Sequence, residues 1–243
     1  MNAPRNKTLL FAEDEPELLE IYSNWFKGLG YEVLCAKNGN EALELCRNQH
    51  VDLVISDVRM AGGSGPELAR QLTTLDTSPL LVFLTGFADL SNEEAYGLGA
   101  CAILNKPTTR RELEEPVSRF LKPARELWAS PPTVQPHALV KKDYDSLESA
   151  LQAGELNFGR GGMFVRDCGS LPKNVPLGFH FRFARGRPES MDGCGILRWQ
   201  RVQPHQELPA GLGIEILHLG AQAQDPVLEW ISRANPKAFI PRG

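Results

Sequence analysis

"TLLFAEDEPELL" (residues 8–19) runs an apolar stretch, Thr8 to Ala12, directly into three carboxylates and a helix start at Pro16. Three adjacent acidic side chains repel one another, so they need solvent, a helix N-terminus or a bound cation. The helix start accounts for part of the pattern, because acidic residues favour a first turn and proline suits its first position. The fold is decided by how often the strand-like part of this pattern recurs. Further strand candidates occur at 32–36 (EVLCA), 51–57 (VDLVISD), 79–85 (PLLVFLT) and 101–105 (CAILN). Each is almost continuously apolar, as a strand covered on both faces should be. Amphipathic helices separate them; in the first, Leu18, Leu19, Tyr22, Trp25, Phe26 and Leu29 recur at helical spacing, and Gly28 and Gly30 end it. Five strands alternating with five helices predict an α/β domain with a five-stranded, parallel, doubly wound sheet.

Ligands of such sheets bind at the carboxyl ends of the strands, so the residues that end each strand carry the functional signal. The first strand is followed by Glu13 and Asp14, the third ends at Asp57, the fourth at Thr85 before Gly86, and the fifth leads into Lys106 and Pro107. The second ends in an ordinary turn, Lys37-Asn38-Gly39. An acidic pair, a lone aspartate, a hydroxyl and a lysine thus converge on one edge of the sheet.

That order, together with the stretch "GACAILNKP" (residues 99–107), resembles the receiver domain of two-component response regulators over roughly residues 7–122. The resemblance implies that Asp57 is the phosphoacceptor and that a divalent cation, Mg2+, is bound there. Glu13, Asp14 and Asp57 would supply its carboxylates and the Arg59 backbone carbonyl a further ligand. Lys106 would pair with the phosphoryl oxygens and Thr85 would donate a hydrogen bond to them. The chemistry is coherent: a dianionic phosphoryl group reaches an anionic carboxylate only if charge is neutralised, and a hard cation takes oxygen ligands. Several positions depart from the family pattern. Ile103 stands where an aromatic residue is usual, Ala61 where proline is usual, and Gly62 and Gly63 come directly after. Phosphotransfer is expected to survive these changes, with atypical coupling to output.

The bulk composition limits the function classes. The chain of 243 residues, 42% hydrophobic and 23% charged, carries a formal net charge of -4. A mildly acidic balance gives no electrostatic case for nucleic acid. The sequence shows no apolar run of membrane-spanning length and no signal-peptide core at "MNAPRNKTLL", so no membrane insertion and a cytoplasmic location are expected. Five scattered cysteines without a Cys-x-x-Cys pair suggest neither zinc nor a disulfide framework.

The receiver-like part is assigned to residues 1–122 and a linker to 123–140, with Pro116 and Pro123 expected to kink or end helices and "SPPTVQP" (130–136) an extended spacer. Residues 141–243 have another grammar. "GMFVRD", "GFHFRFARG", "CGILRWQRV" and "GIEILHL" alternate with period two, which predicts a small antiparallel β-barrel with Phe179, Phe181, Phe183, Leu197 and Trp199 in its core. A terminal helix is expected from Pro226, capped by Asp225. The segments "NFGRGGMFV", "LPKNVPLG" and "PAGLGIEIL" resemble a PilZ domain. That resemblance makes Asn157, Gly159, Arg160 and Gly162 candidate ligand-binding residues. Gly159 replaces the family's usual serine, and the upstream arginine pair is absent, since no arginine lies between Arg125 and Arg160. Those arginines would clamp phosphate bidentately, which lysine does not reproduce.

The combined expectation is a response regulator that is not itself an enzyme. A sensor histidine kinase would phosphorylate Asp57, and the PilZ-like part would signal by protein contacts to a downstream target or a second copy of the chain. The alternative is a cyclic di-GMP receptor whose affinity the receiver tunes.

Overall fold

The computed structural model describes residues 7–86, 90–129, 135–205 and 208–242. The chain divides into two compact units, Met1–Leu121 and Lys122–Gly243.

The first unit alternates strands and helices: β1 (Thr8–Ala12), α1 (Pro16–Lys27), β2 (Glu32–Ala36), α2 (Gly39–Asn48), β3 (Leu53–Asp57), α3 (Gly65–Leu72), β4 (Leu80–Thr85), α4 (Asn92–Gly97), β5 (Ala102–Asn105) and α5 (Arg110–Phe120). All five strands are parallel, in the order β2-β1-β3-β4-β5. This is the doubly wound fold the sequence predicts, with β1 and β2 as expected and β3, β4 and β5 starting one or two residues later than their apolar runs. β3 is buried along its whole length, as a central strand between two helical layers must be. Successive β1 side chains serve opposite layers. Phe11 packs against Phe26 of α1 at 5.4 Å between ring centroids, while Leu10 joins Val54 and Phe83 under Leu68 and Leu72 of α3.

Local chemistry fixes the helix starts. Asn38 accepts the Glu41 amide, and Ser64, Ser91 and Thr109 each form a reciprocal capping box with the glutamate three residues on. α5 continues through Pro116, which is buried, so this proline does not end the helix. The helix loses one rung to the Glu112 carbonyl but keeps the burial of Leu113, Val117 and Phe120.

The second unit holds α6 (Ala124–Ala129), β6 (Ala138–Tyr144), α7 (Leu147–Gln152), β7 (Leu156–Phe158), β8 (Gly162–Arg166), β9 (Pro176–Phe183), β10 (Ser190–Arg201), β11 (Gly211–Leu219) and α8 (Ala221–Ala234). Its six strands lie in the order β6-β9-β10-β11-β8-β7. The antiparallel barrel of the sequence reading is corrected to a curled, mixed half-barrel. β6 pairs with β9 in parallel, the other pairings are antiparallel, and β6 and β7 remain edges among the described residues.

Part of the stretch expected as a linker is ordered structure. Trp128 of α6 is fully buried in the second unit's core beside Phe158, Phe181 and Val227, and β6 begins at Ala138. Most of the "SPPTVQP" spacer lies outside the described residues. The terminal helix begins at Ala221 rather than Pro226, so Pro226 sits inside it and Asp225 pairs with Arg125 instead of capping.

Phe179, Phe181, Phe183 and Leu197 share the main core cluster, and Trp199 is fully buried as expected but outside that cluster. A bulge between Leu197 and Trp199 breaks the alternation. Trp199 therefore lies on the opposite face, stacked on Phe164 at 5.9 Å and against the backbone of Gly213.

Candidate functional site

Parallel pairing puts every carboxyl end of the first sheet on one edge. Ala12 is level with Ser56, Asp57 with Leu84, and Thr85 with Asn105. The next residues, Glu13 and Lys106, therefore emerge beside Asp57. Lys106 Nζ lies 2.7 Å from Glu13 Oε2 and 2.7 Å from Asp57 Oδ2. Glu13 is 1% exposed and Asp57 7%. Asp14 completes a group of three carboxylates whose oxygens all lie within 4.8 Å of one another, with Asp14 on the solvent side.

The electrostatics result from this crowding. Burial pushes the Glu13 carboxyl above the ordinary glutamate value, although the Lys106 ammonium opposes it. Burial disfavours the charged Lys106 as well, yet its bonds to Asp57 and Glu13 outweigh that and hold its pKa above the usual lysine value. The ammonium thus acts as the fixed counter-cation of a strongly negative pocket.

Backbone contacts set the orientation of the carboxylates. The Arg59 amide donates to Asp57 Oδ1 at 3.3 Å and the Ala61 amide to Asp14 Oδ2 at 3.1 Å. Behind Asp57, the loop returns at Gly65, whose amide reaches the Val58 carbonyl at 3.1 Å. A Cβ at Gly65 would stand 2.4 Å from the Asp57 carbonyl oxygen and 3.0 Å from the Phe83 ring. A cleft of about 250 Å³ between α1 and β2 opens onto the cluster, with Glu13 and Asp14 on its wall.

The structure brings Glu13, Asp14, Asp57 and Lys106 together as the sequence reading expected. Thr85 is buried at the same edge, but its hydroxyl donates to the Gly86 carbonyl at 2.8 Å rather than to a carboxylate. Arg59 touches the cluster through its amide. The sequence reading missed Gly65 and the Ala61 amide. The signal for Gly65 was present in "GGSGP", where a glycine just before the proline-led helix marks a close backbone approach.

A hard divalent cation fits this donor set. Three carboxylates with one exposed to water suit magnesium, which takes oxygen ligands and keeps several waters. Residues 9–118 match the family model of the response regulator receiver domain. These residues are a receiver domain. Receiver domains use Mg2+ at an acidic site of this kind and take their phosphoryl group from a histidine kinase or phosphotransfer partner.

Over 117 residues the chain is 33% identical to the transcriptional regulatory protein CrdR of Helicobacter pylori, covering 47% of this chain and 54% of that one. Over 117 residues it is also 26% identical to sporulation initiation phosphotransferase F of Bacillus subtilis, covering 48% of this chain and 94% of that one. A crystal structure of a response regulator receiver domain protein from Clostridium thermocellum is 30% identical, covering 46% of this chain and 91% of that one, with a TM-score of 0.43. The chain spans about half the length of the Helicobacter relative. The family match ends at residue 118.

The second unit's candidate residues have a different fate. Asn157 lies in β7 opposite Phe164. The turn from Gly159 to Gly162 is filled by the chain's own C-terminal segment. The Arg160 amide donates to the Ala238 carbonyl at 3.0 Å and the Gly161 amide to the Phe239 carbonyl at 3.1 Å. Of the other arginines, Arg182 pairs with Asp143 at 2.6 Å and Arg166 with Asp167 at 3.5 Å. Among the described residues no helix is long and apolar enough to cross a membrane.

Proposed function

We propose that this chain is a phosphorylation-dependent response regulator, with Asp57 as phosphoacceptor and the second unit as a PilZ-like output module that acts through protein contacts. The observation that carries the reading is the Lys106 ammonium, 2.7 Å from both Glu13 and Asp57, within a carboxylate cluster at the carboxyl ends of the strands. An Asp57 oxygen would attack phosphorus of a phosphohistidine, forming an acyl phosphate as the P–N bond breaks and the imidazole takes up a proton. Bound Mg2+, held by Glu13, Asp14 and Asp57, would supply charge neutralisation. Lys106, already aimed at Asp57 Oδ2, would stay on the phosphoryl oxygens, and the Thr85 hydroxyl would have to leave the Gly86 carbonyl to donate to them.

The phosphorylated state would favour one arrangement of the Thr85 and Lys106 loops and so change the surface offered to a target or to a second copy of the chain. The chain would work in the cytoplasm as a signalling protein with no catalytic output of its own. A cyclic di-GMP receptor finds little support, because residues 238–240 fill the glycine turn and its flanking arginines are engaged with aspartates.

The test is labelling of the purified chain with a small phosphodonor in Mg2+. One phosphoryl group per chain, absent in Asp57→Asn and in chelator, is expected. Labelling that persists in Asp57→Asn would overturn the assignment.

A further inference from the structure

The last residues of the chain behave as a ligand of the second unit. After Asn235, which closes α8 in the left-handed conformation with φ 45°, the chain turns back across the outer face of the half-barrel. There Phe239 is 3% exposed and Ile240 is fully buried. The surface beneath them is built from glycines. A Cβ on Gly159 would meet the Phe239 carbonyl oxygen at 2.4 Å, one on Gly161 the Phe239 ring at 2.0 Å, and one on Gly162 the Ile240 side chain at 2.5 Å. Backbone amides of Arg160 and Gly161 hold the segment at consecutive carbonyls, Ala238 and Phe239, where the chain bends. Arg201, lying over the Trp199 ring, donates to the Arg242 carbonyl at 3.2 Å.

Main-chain bonds that need no particular sequence, with pockets for an aromatic and an aliphatic side chain, are the components of a peptide-recognition site.

We propose that the groove over Gly159–Gly162 is a recognition site for a bent aromatic–aliphatic peptide segment. The chain's own Ala238–Phe239–Ile240 occupies it in cis and must leave before a partner protein's segment can enter. The proposal deepens the reading of the second unit as a protein-contact module. It also gives the glycine motif, which the sequence offered for a nucleotide, a peptide to hold.

The experiment uses the full chain and a synthetic peptide of residues 235–243 carrying a fluorophore. In Phe239→Ala the strap is weakened, and saturable peptide binding at least tenfold tighter than to the unaltered chain is expected. Adding Gly161→Ala, which puts a methyl group where the Phe239 ring sits, should abolish it. A folded Phe239→Ala chain that binds no peptide overturns the proposal, and so does loss of the second unit's fold in that variant. The unaltered chain provides an independent reading. Trypsin should cut after Lys237 at denaturant concentrations well below those that unfold the second unit. If both events share one denaturant dependence, the strap is ordinary core and the proposal falls. Phosphodonor labelling of Asp57 should be unchanged in every variant, so failure of the groove is distinguishable from failure of the phosphoacceptor assignment.

Discussion

Lys106 reaches Asp57 across the carboxyl end of the sheet, its ammonium 2.7 Å from Oδ2 and equally close to Glu13. The ion pair is formed by residues 49 positions apart, brought level because β3, β4 and β5 are parallel and in register. It neutralises a cluster that would otherwise hold three carboxylates within 4.8 Å of one another. The same cation that would receive the phosphoryl oxygens therefore also stabilises the site before phosphorylation.

Removing that cation should be costly. Lys106→Met leaves Glu13, 1% exposed, and Asp57 without their counter-charge, a change that typically costs about 3 kcal/mol for a buried pair. Urea unfolding in chelator should show a loss of this size in the first unit, and saturating Mg2+ should recover part of it. Equal losses with and without Mg2+ would show that the cation does not sit among these carboxylates.

Magnesium should in turn stabilise the unaltered receiver. At ten times its dissociation constant a ligand specific to the folded state contributes about 1.4 kcal/mol, or roughly 5 °C for a domain of this size. Asp14→Asn removes the exposed member of the cluster and should weaken the response at least tenfold in Mg2+ concentration. Thermal melts against Mg2+ check both statements.

Gly65→Ala tests the backing of Asp57. The new methyl group would meet the Asp57 carbonyl oxygen at 2.4 Å, and backbone cannot yield as a side chain can. Overpacking of this kind costs about 2 kcal/mol. If Asp57 is the phosphoacceptor, displacing its backbone should slow phosphodonor labelling by about tenfold or more, measured at a temperature where the variant is folded.

At the other end of the sheet, Asp52 ties down the start of β1. Its carboxylate takes Lys7 Nζ at 2.6 Å and the Thr8 amide at 2.8 Å. Burial alone would raise its pKa, but these bonds outweigh burial and hold it below the usual aspartate value. A depressed carboxyl pKa contributes stability that is fully present above the unfolded value, about 3.9, and is lost as pH falls through the folded value. The difference in unfolding free energy between the unaltered chain and Asp52→Asn should be constant from pH 5 to 8 and shrink below pH 4. A difference that grows on acidification would contradict the assignment.

The receiver was legible because its three central strands, β1, β3 and β4, are buried on both sides. Continuous apolar runs such as "LVISD" mark such strands, and the site residues are polar groups at or just beyond the carboxyl ends of their strands. The second unit was harder to read for reasons visible in particular residues. β6 is an edge strand, and "ALVKKDY" carries charges on its exposed face, so its alternation is weak. The bulge before Trp199 reverses the face of one aromatic residue without any signal in the spacing. α8 begins in "AQAQDP", where no capping side chain marks the start and Pro226 suggests a later one. The glycines of "NFGRGG" looked like a ligand loop because the segment they receive, Ala238 to Ile240, lies some eighty residues further on.

The helix α6 was lost for a related reason: prolines flank it, and a short helix between prolines reads as a spacer. Its role is decided by Trp128, which is fully buried in the second unit's core. Truncating a buried tryptophan to alanine costs about 3–5 kcal/mol. The lower end is expected here, because the Trp128 indole Nε1 has no hydrogen-bond partner among the described residues, and its removal also removes an unmet polar group. Trp128→Ala should therefore destabilise the second unit by about 3 kcal/mol in urea unfolding and leave the Mg2+-responsive transition of the receiver in place. A change below about 0.5 kcal/mol, the range of surface substitutions, would mean that residues 124–129 are a spacer after all.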